Sequence, residues 1–78
     1  MRQKEVRCVV TFRTTAAAME MERLCKESGL PGRLIPIPRT ISAVCGLCWS
    51  APSEAEGALE DLVMAQHLMI DGIYAVLL

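Results

Sequence analysis

Apolar and polar side chains alternate at the start of the chain, in EVRCVVTF, residues 5 to 12. One parity is apolar throughout: Val6, Cys8, Val10 and Phe12. The other parity holds Arg7, Val9 and Thr11. A period of two residues is typical of a β-strand with one buried face. The pattern therefore predicts a first strand over residues 5–12, with Cys8 in the core.

A helical pattern follows in TTAAAMEMERLCKESG. Thr14 or Thr15 is suited to cap its N-terminus, Gly29 is suited to a left-handed C-cap, and Pro31 prevents continuation. Positions spaced i, i+4, i+7, i+8 and i+11 share one face. These are Ala17, Met21, Leu24, Cys25 and Ser28. The spacing places Cys25 in the core as well.

Two short apolar runs, RLIPIP and GLCWSAP, come next, separated by the loop RTISAVC. Pro36 and Pro38 lack the N–H that a central strand needs, so the first run is expected at a sheet edge. Ser53 and Glu56 fit a capping box for a second amphipathic helix. Its predicted face is Ala55, Ala58, Leu59, Leu62, Val63 and Gln66.

After Asp71 and Gly72, the run IYAVLL predicts a last strand. The order β-α-β-β-α-β in so short a chain predicts one α+β domain over residues 1–78. The expected architecture is a ferredoxin-like sandwich, with two helices on one four-stranded antiparallel sheet.

Composition narrows the possible partners. With 53% hydrophobic residues in a chain of 78, the surface is expected to be partly covered by a homo-oligomer. The net charge of −1 provides no basic patch for nucleic acid or for an anionic membrane. The N-terminal apolar stretch is too short for a signal peptide, and no window reaches the roughly 18 apolar residues of a membrane span. We therefore expect a cytoplasmic protein with reduced thiols.

Cys45 and Cys48 form a CxxC spacing that could be a redox pair or half of a metal site. A working dithiol normally begins a helix, whereas Trp49 to Pro52 follow here. In an extended segment the two Cα atoms lie about 10 Å apart, and a disulfide needs about 4.4 to 6.8 Å. A zinc site needs four ligands, and His67, the only histidine, is better interpreted as a solvated helix-end residue. We expect no metal and no cofactor.

A single working thiol at Cys45 is a further possibility. Cys45 ends the loop, Gly46 leaves room around the sulfur, and Arg39 supplies a positive charge that favours a thiolate. The competing interpretation is a small residue entering a strand beside an exposed arginine. The residues alone leave both open, while Cys48, next to Trp49 inside a strand, is better explained by packing.

The segment PRTISAVCG, preceded by ESGLPG and RLIPIP, resembles a family of small bacterial selenium/sulfur carrier-like proteins. The similarity extends from VVTF to DGIY, and its most specific part is Pro-Arg-x-Ile-Ser-x-x-Cys-Gly. The matching residues are Pro38, Arg39, Ile41, Ser42, Cys45 and Gly46. The resemblance implies that Cys45 carries the chalcogen as a persulfide or its selenium counterpart.

The chain departs from the family pattern after Gly46. Cys48 stands where a small apolar residue is usual, and Trp49 and Ser50 stand where a basic residue often follows. A thiol at Cys48 could resolve the persulfide or be neutral, and Arg39 becomes the main candidate for binding an anion.

These observations predict a sulfur or selenium carrier that relays the atom on Cys45 between a donor protein and an acceptor protein. The alternative is a non-catalytic binding or assembly module whose loop, from Arg39 to Cys45, holds a small anion or a partner segment. An enzyme is not expected, because His67 is far along the chain and no Cys-His arrangement is evident.

Overall fold

The computed structural model describes residues 4–41 and 46–78. In chain order the elements are β1 (Val6–Phe12), α1 (Thr15–Ser28), β2 (Arg33–Pro36), β3 (Leu47–Pro52), α2 (Glu56–Gln66) and β4 (Ile70–Leu77). The strands form one sheet in the order β2-β3-β1-β4, and neighbouring strands are antiparallel. This confirms the predicted ferredoxin-like α+β fold. Among the described residues, no helix is long and apolar enough to span a membrane.

The hydrophobic core lies between the sheet and the two helices. Its central residues are Cys8, Val10, Phe12, Ala18, Met21, Cys25, Trp49, Ala51 and Leu59. Strands β1 and β3 contribute alternate residues to this layer, because successive side chains point to opposite faces of a sheet.

Strand β1 is buried on both faces, so the prediction of a single buried face is wrong. Val9 and Thr11 are 0% exposed although they point away from the helices. The reason lies in the topology: β1 is a central strand, and Val9 lies between Ser50 of β3 and Tyr74 of β4. Neighbouring strands on either side shield these side chains.

The boundaries of α1 are confirmed. Thr14 is the N-cap, and its hydroxyl accepts a hydrogen bond from the N–H of Ala17 at 3.1 Å. Gly29 closes the helix with φ 72°, a conformation that glycine adopts without steric cost. Met21, Leu24 and Cys25 are buried as predicted.

One position of the predicted α1 face is wrong: Ser28, the last helical residue, is exposed. Ala17 is half-buried and packs against the core as predicted, and Ala18, outside the predicted face, is fully buried.

The predicted capping box at α2 is wrong. A 3₁₀ turn, Ser53–Ala55, precedes the helix, and the N–H of Glu56 donates to the carbonyl of Ser53. Because this tighter turn uses backbone groups, no side chain caps α2. Of the predicted face, Leu59 is buried in α2, Leu62 and Val63 are half-buried, and Ala58 and Gln66 are exposed.

Strand β4 begins before Asp71 and Gly72, which were predicted to precede it. Thr11 pairs with Gly72 but Phe12 pairs with Ile70, so the register shifts at this point. The Tyr74 ring lies against Gly72, where an added Cβ would be 2.9 Å from the Tyr74 hydroxyl oxygen. Asp71 and Gly72 therefore lie at an irregularity inside the strand and not before it.

Strand β2 lies at one edge of the sheet, as the prolines predicted. It pairs with β3 from Arg33 opposite Ser50 to Pro36 opposite Leu47. The β2–β3 hairpin therefore presents its connecting loop at one end of the sheet.

Candidate functional site

The loop that connects β2 and β3 is closed at its base by backbone hydrogen bonding. Beyond the paired strands, the N–H of Ile37 donates to the carbonyl of Gly46 at 2.9 Å. The loop therefore spans residues 38–45, between these two backbone groups. Ser42 and Cys45, two of the predicted site residues, lie outside the described residues.

Arg39 lies in a turn at the start of this loop. The N–H of Ile41 donates to the carbonyl of Pro38 at 3.1 Å, which places Arg39 and Thr40 at the two central turn positions. Both side chains are exposed. None of the ion pairs within residues 4–41 and 46–78 involves Arg39. Its guanidinium is thus presented to solvent on the same loop that leads to Cys45.

Gly46 is exposed at the other end of the loop. A Cβ added here would meet no atom within 4 Å, and its φ is outside the left-handed region. The backbone therefore does not require glycine at this position. The proposed role of Gly46, to leave room around the neighbouring sulfur, stays a prediction.

Cys48 lies inside β3 and is 0% exposed. Its cross-strand neighbours are Thr11 of β1 and Ile35 of β2. By strand alternation its side chain is on the sheet face opposite the helices, since Trp49 next to it belongs to the core between sheet and helices. This burial favours the packing interpretation of Cys48.

Cys8 and Cys25 are buried, which confirms their predicted core positions. Burial raises the pKa of the Cys8 thiol, and the carboxylates of Glu56 and Glu60 raise it further. Burial alone raises the pKa of Cys25 from the ordinary value of 9.0 to about 11. Both thiols therefore stay protonated near neutral pH, and a protonated thiol is a poor nucleophile.

The elevated pKa of Cys25 predicts a loss of stability in alkaline solution. The unfolded chain loses this proton near pH 9, whereas the folded protein keeps it to about pH 11, so the free energy of unfolding should fall across this interval by about 2 kcal/mol. Denaturant unfolding of the wild type and of Cys25→Ala at pH 8 and at pH 11 checks this. The stability difference between the two proteins should narrow as pH rises, and an unchanged difference would contradict the assignment.

His67 is exposed and forms the C-cap of α2, as the sequence indicated for a solvated helix end. Its φ of 53° is left-handed, and its backbone N–H donates to the carbonyl of Val63.

A polar contact that the sequence did not predict lies on the sheet face shared with Cys48. Arg7 Nε donates to Ser50 Oγ at 3.2 Å, and Arg7 Nη1 lies 2.9 Å from Glu5 Oε1. Ser50 is buried, and the Arg7 side chain is mostly covered. The sequence contains one signal for this contact. Arg7 is a polar residue inside an apolar strand, and Ser50, two positions from Cys48, lies on the same face of its strand as that cysteine. This pair supplies a part-buried hydrogen bond on the sheet face that also holds Cys48.

Comparison with known proteins gives one family. No curated protein and no solved structure matches the chain. The sequence model of the family described as "Putative Se/S carrier protein-like" matches residues 7–75, which includes the β2–β3 loop and all four cysteines. The chain therefore belongs to this Se/S carrier protein-like family.

Proposed function

We propose that this protein carries a sulfur or selenium atom on Cys45 and relays it from a donor protein to an acceptor protein. The observation that carries the proposal is the burial of the other cysteines. A carrier thiol has to be reached by two partners in turn, and Cys8, Cys25 and Cys48 are at most 1% exposed. Within a family named for carrying selenium or sulfur, the role therefore falls to Cys45.

The proposed transfer conserves atoms and electrons. The Cys45 thiolate attacks the outer sulfur of a donor persulfide, a new S–S bond forms, and the donor cysteine leaves as a thiolate. The donor is thereby returned to its thiol oxidation state, and Cys45 holds the zero-valent atom. A nucleophile on the acceptor then attacks this outer atom, and Cys45 leaves as a thiolate. The selenium version replaces the outer sulfur by selenium, and no external oxidant or reductant is used.

The loop supplies the electrostatics of this proposal. Arg39 is exposed and outside the ion pairs of the described residues, so its charge is available to a thiolate or to a persulfide anion. We assign Ser42 as a hydrogen-bonding residue of the loop and Gly46 as the residue that keeps access open. Cys48 packs inside β3 in this account, and a resolving role for it requires β3 to open.

The donor and the acceptor are proteins, and the relay operates in the cytoplasm, where thiols are kept reduced. The second candidate is a binding module without covalent chemistry. The solvent-exposed Arg39 favours it, because the same guanidinium would hold a small anion.

Loading and discharge test the carrier function. The protein is incubated with a cysteine desulfurase and cysteine, or with a selenocysteine lyase and selenocysteine, and separated from the donor. The intact mass should rise by about 32 Da for sulfur or about 79 Da for selenium. Cyanide should then remove the sulfur as thiocyanate and restore the original mass, because cyanide attacks a zero-valent outer sulfur.

The same experiment separates the two candidates. If no cysteine gains mass, and sulfate or selenite instead protects Arg39 from modification by phenylglyoxal, the binding module is correct and the carrier proposal is wrong. An adduct that cyanide leaves in place would also contradict a transferable atom.

A further inference from the structure

The two edges of the sheet differ in how they are protected. Edge strands expose unpaired backbone groups that can pair with another chain, and proteins blunt such edges with proline, charge or short length. Strand β2 has four residues, begins at the exposed Arg33 and ends at Pro36. Strand β4 has eight residues, and it contains neither proline nor a basic residue. The β4 edge is therefore the one open to pairing.

The outward-facing backbone groups of β4 can be identified from its pairing with β1. Glu5 and Leu78 exchange two hydrogen bonds, with N···O distances of 2.8 and 3.0 Å. Such reciprocal pairs alternate with non-bonded pairs along an antiparallel ladder. In the observed register, Gly72, Tyr74 and Val76 therefore bond to β1. The N–H and C=O groups that point away from the sheet belong to Ile73, Ala75 and Leu77.

We propose that β4 pairs with β4 of a second copy of this chain across a twofold axis, forming one continuous eight-stranded sheet. An antiparallel edge is complementary to itself under a twofold rotation. With the axis at Ala75, this residue pairs with its own copy and Ile73 pairs with Leu77 of the second copy. This register uses every outward-facing residue of the edge, whereas a shift in either direction leaves a residue unpaired.

The charges on this edge suit a second copy. Asp71 is the only charged residue of β4, and it already lies 3.7 Å from Arg13 Nε. In the proposed register Asp71 is beyond the paired segment, so like charges do not face each other. The side chains beside the edge are apolar and exposed: Leu77 is 60% exposed and Tyr74 is 41% exposed. Pairing places Leu77 against Ile73 of the second copy and covers part of this surface.

The contact is small. A strand of eight residues is about 27 Å long at about 3.4 Å per residue. The surface that this edge would bury is smaller than that of a standard interface, which buries about 800 Å² on each partner. The dimer should therefore form in the micromolar range and dissociate on dilution. Because β4 and β2 are at opposite edges of the sheet, pairing through β4 leaves strand β2 of each copy outside the contact.

Sedimentation velocity over a concentration series tests the proposal with matched variants. Ala75→Pro removes an outward N–H without removing a bond to β1, and Leu77→Lys adds the edge charge that proteins use against pairing. Both should weaken association at least tenfold. Met64→Lys, on the exposed face of α2 at 75% exposure, should dimerise like the wild type.

Hydrogen exchange of the wild type gives an independent measurement that needs no variant. The amides of Ile73, Ala75 and Leu77 should be protected in concentrated solution and exchange rapidly on dilution, while those of Tyr74 and Val76 stay protected throughout. A wild type that is monomeric to near-millimolar concentration would overturn the proposal. So would a dimer that Met64→Lys disrupts and Leu77→Lys does not. Neither result bears on sulfur loading at Cys45.

Discussion

Replacing Gly32 by alanine is expected to destabilise the protein by about 4 kcal/mol, a large part of the stability of a domain of this size. Gly32 has a φ of 129°, which L residues rarely adopt. A Cβ added there would be 2.5 Å from Trp49 Nε1 and 2.8 Å from the carbonyl oxygen of Ser50. The indole N–H has no acceptor among the described residues, and the Trp49 ring packs in the core and against Gly32.

The melting temperature of Gly32→Ala should therefore fall by more than about 15 °C. Two other glycines separate the causes. In Gly29→Ala the new Cβ would contact no neighbouring atom, but the residue would have to adopt a φ of 72°. The free energy of unfolding should therefore fall by only about 1 kcal/mol. Gly57→Ala, in α2, introduces neither a close contact nor a left-handed φ, so its effect on stability should be neutral or slightly favourable. If Gly32→Ala melts no lower than Gly29→Ala, the close contact with Trp49 does not contribute to the destabilisation.

This close approach also matters for the candidate site. Gly32 immediately precedes β2, and Trp49 lies in β3 opposite Leu34. The indole therefore packs against the start of the hairpin that ends in the loop of residues 38–45. Damage to this contact should misplace the loop as well as lower stability.

Local sequence signals were sufficient to predict those features that depend on the residues of a single helix or strand. The alternation in residues 5–12 predicted β1, Thr14 and Gly29 predicted the ends of α1, and Pro36 predicted an edge strand. Each of these depends on backbone preferences of a few neighbouring residues.

The errors arose where distant segments decide the environment. Val9 is buried because of neighbours on β3 and β4, which its own strand does not reveal. The sequence places Gly72 before the last strand, whereas the pairing with β1 places it inside β4, where the Tyr74 ring packs against it. The contact of Arg7 with Ser50 joins residues that are 43 positions apart.

The candidate site was predictable to a different extent. Periodicity placed Cys8 and Cys25 in the core, and the structure confirms this. The role of Cys45 came from the family resemblance, because the residues alone did not distinguish a reactive thiol from a small residue entering a strand. The structure adds the turn that presents Arg39 and the burial of Cys48.

Cys45→Ser is expected to abolish the chalcogen adduct completely, whereas Cys48→Ser should retain most of it. Cys48 is 0% exposed inside β3, so its sulfur is not accessible to a donor while the strand is paired. Arg39→Ala should slow loading without lowering the melting temperature, because an exposed arginine contributes little stability. Arg33→Ala, the matched exposed arginine on β2, should load at the wild-type rate.

Intact mass spectrometry of the two serine variants after incubation with the desulfurase is the most direct test of the account. The variants are necessary because no lysine or arginine follows Arg39, so trypsin leaves Cys45 and Cys48 on one peptide. Cys48→Ser should gain about 32 Da with sulfur, or about 79 Da with selenium, and Cys45→Ser should gain nothing. An adduct that persists in Cys45→Ser and disappears in Cys48→Ser would contradict this expectation.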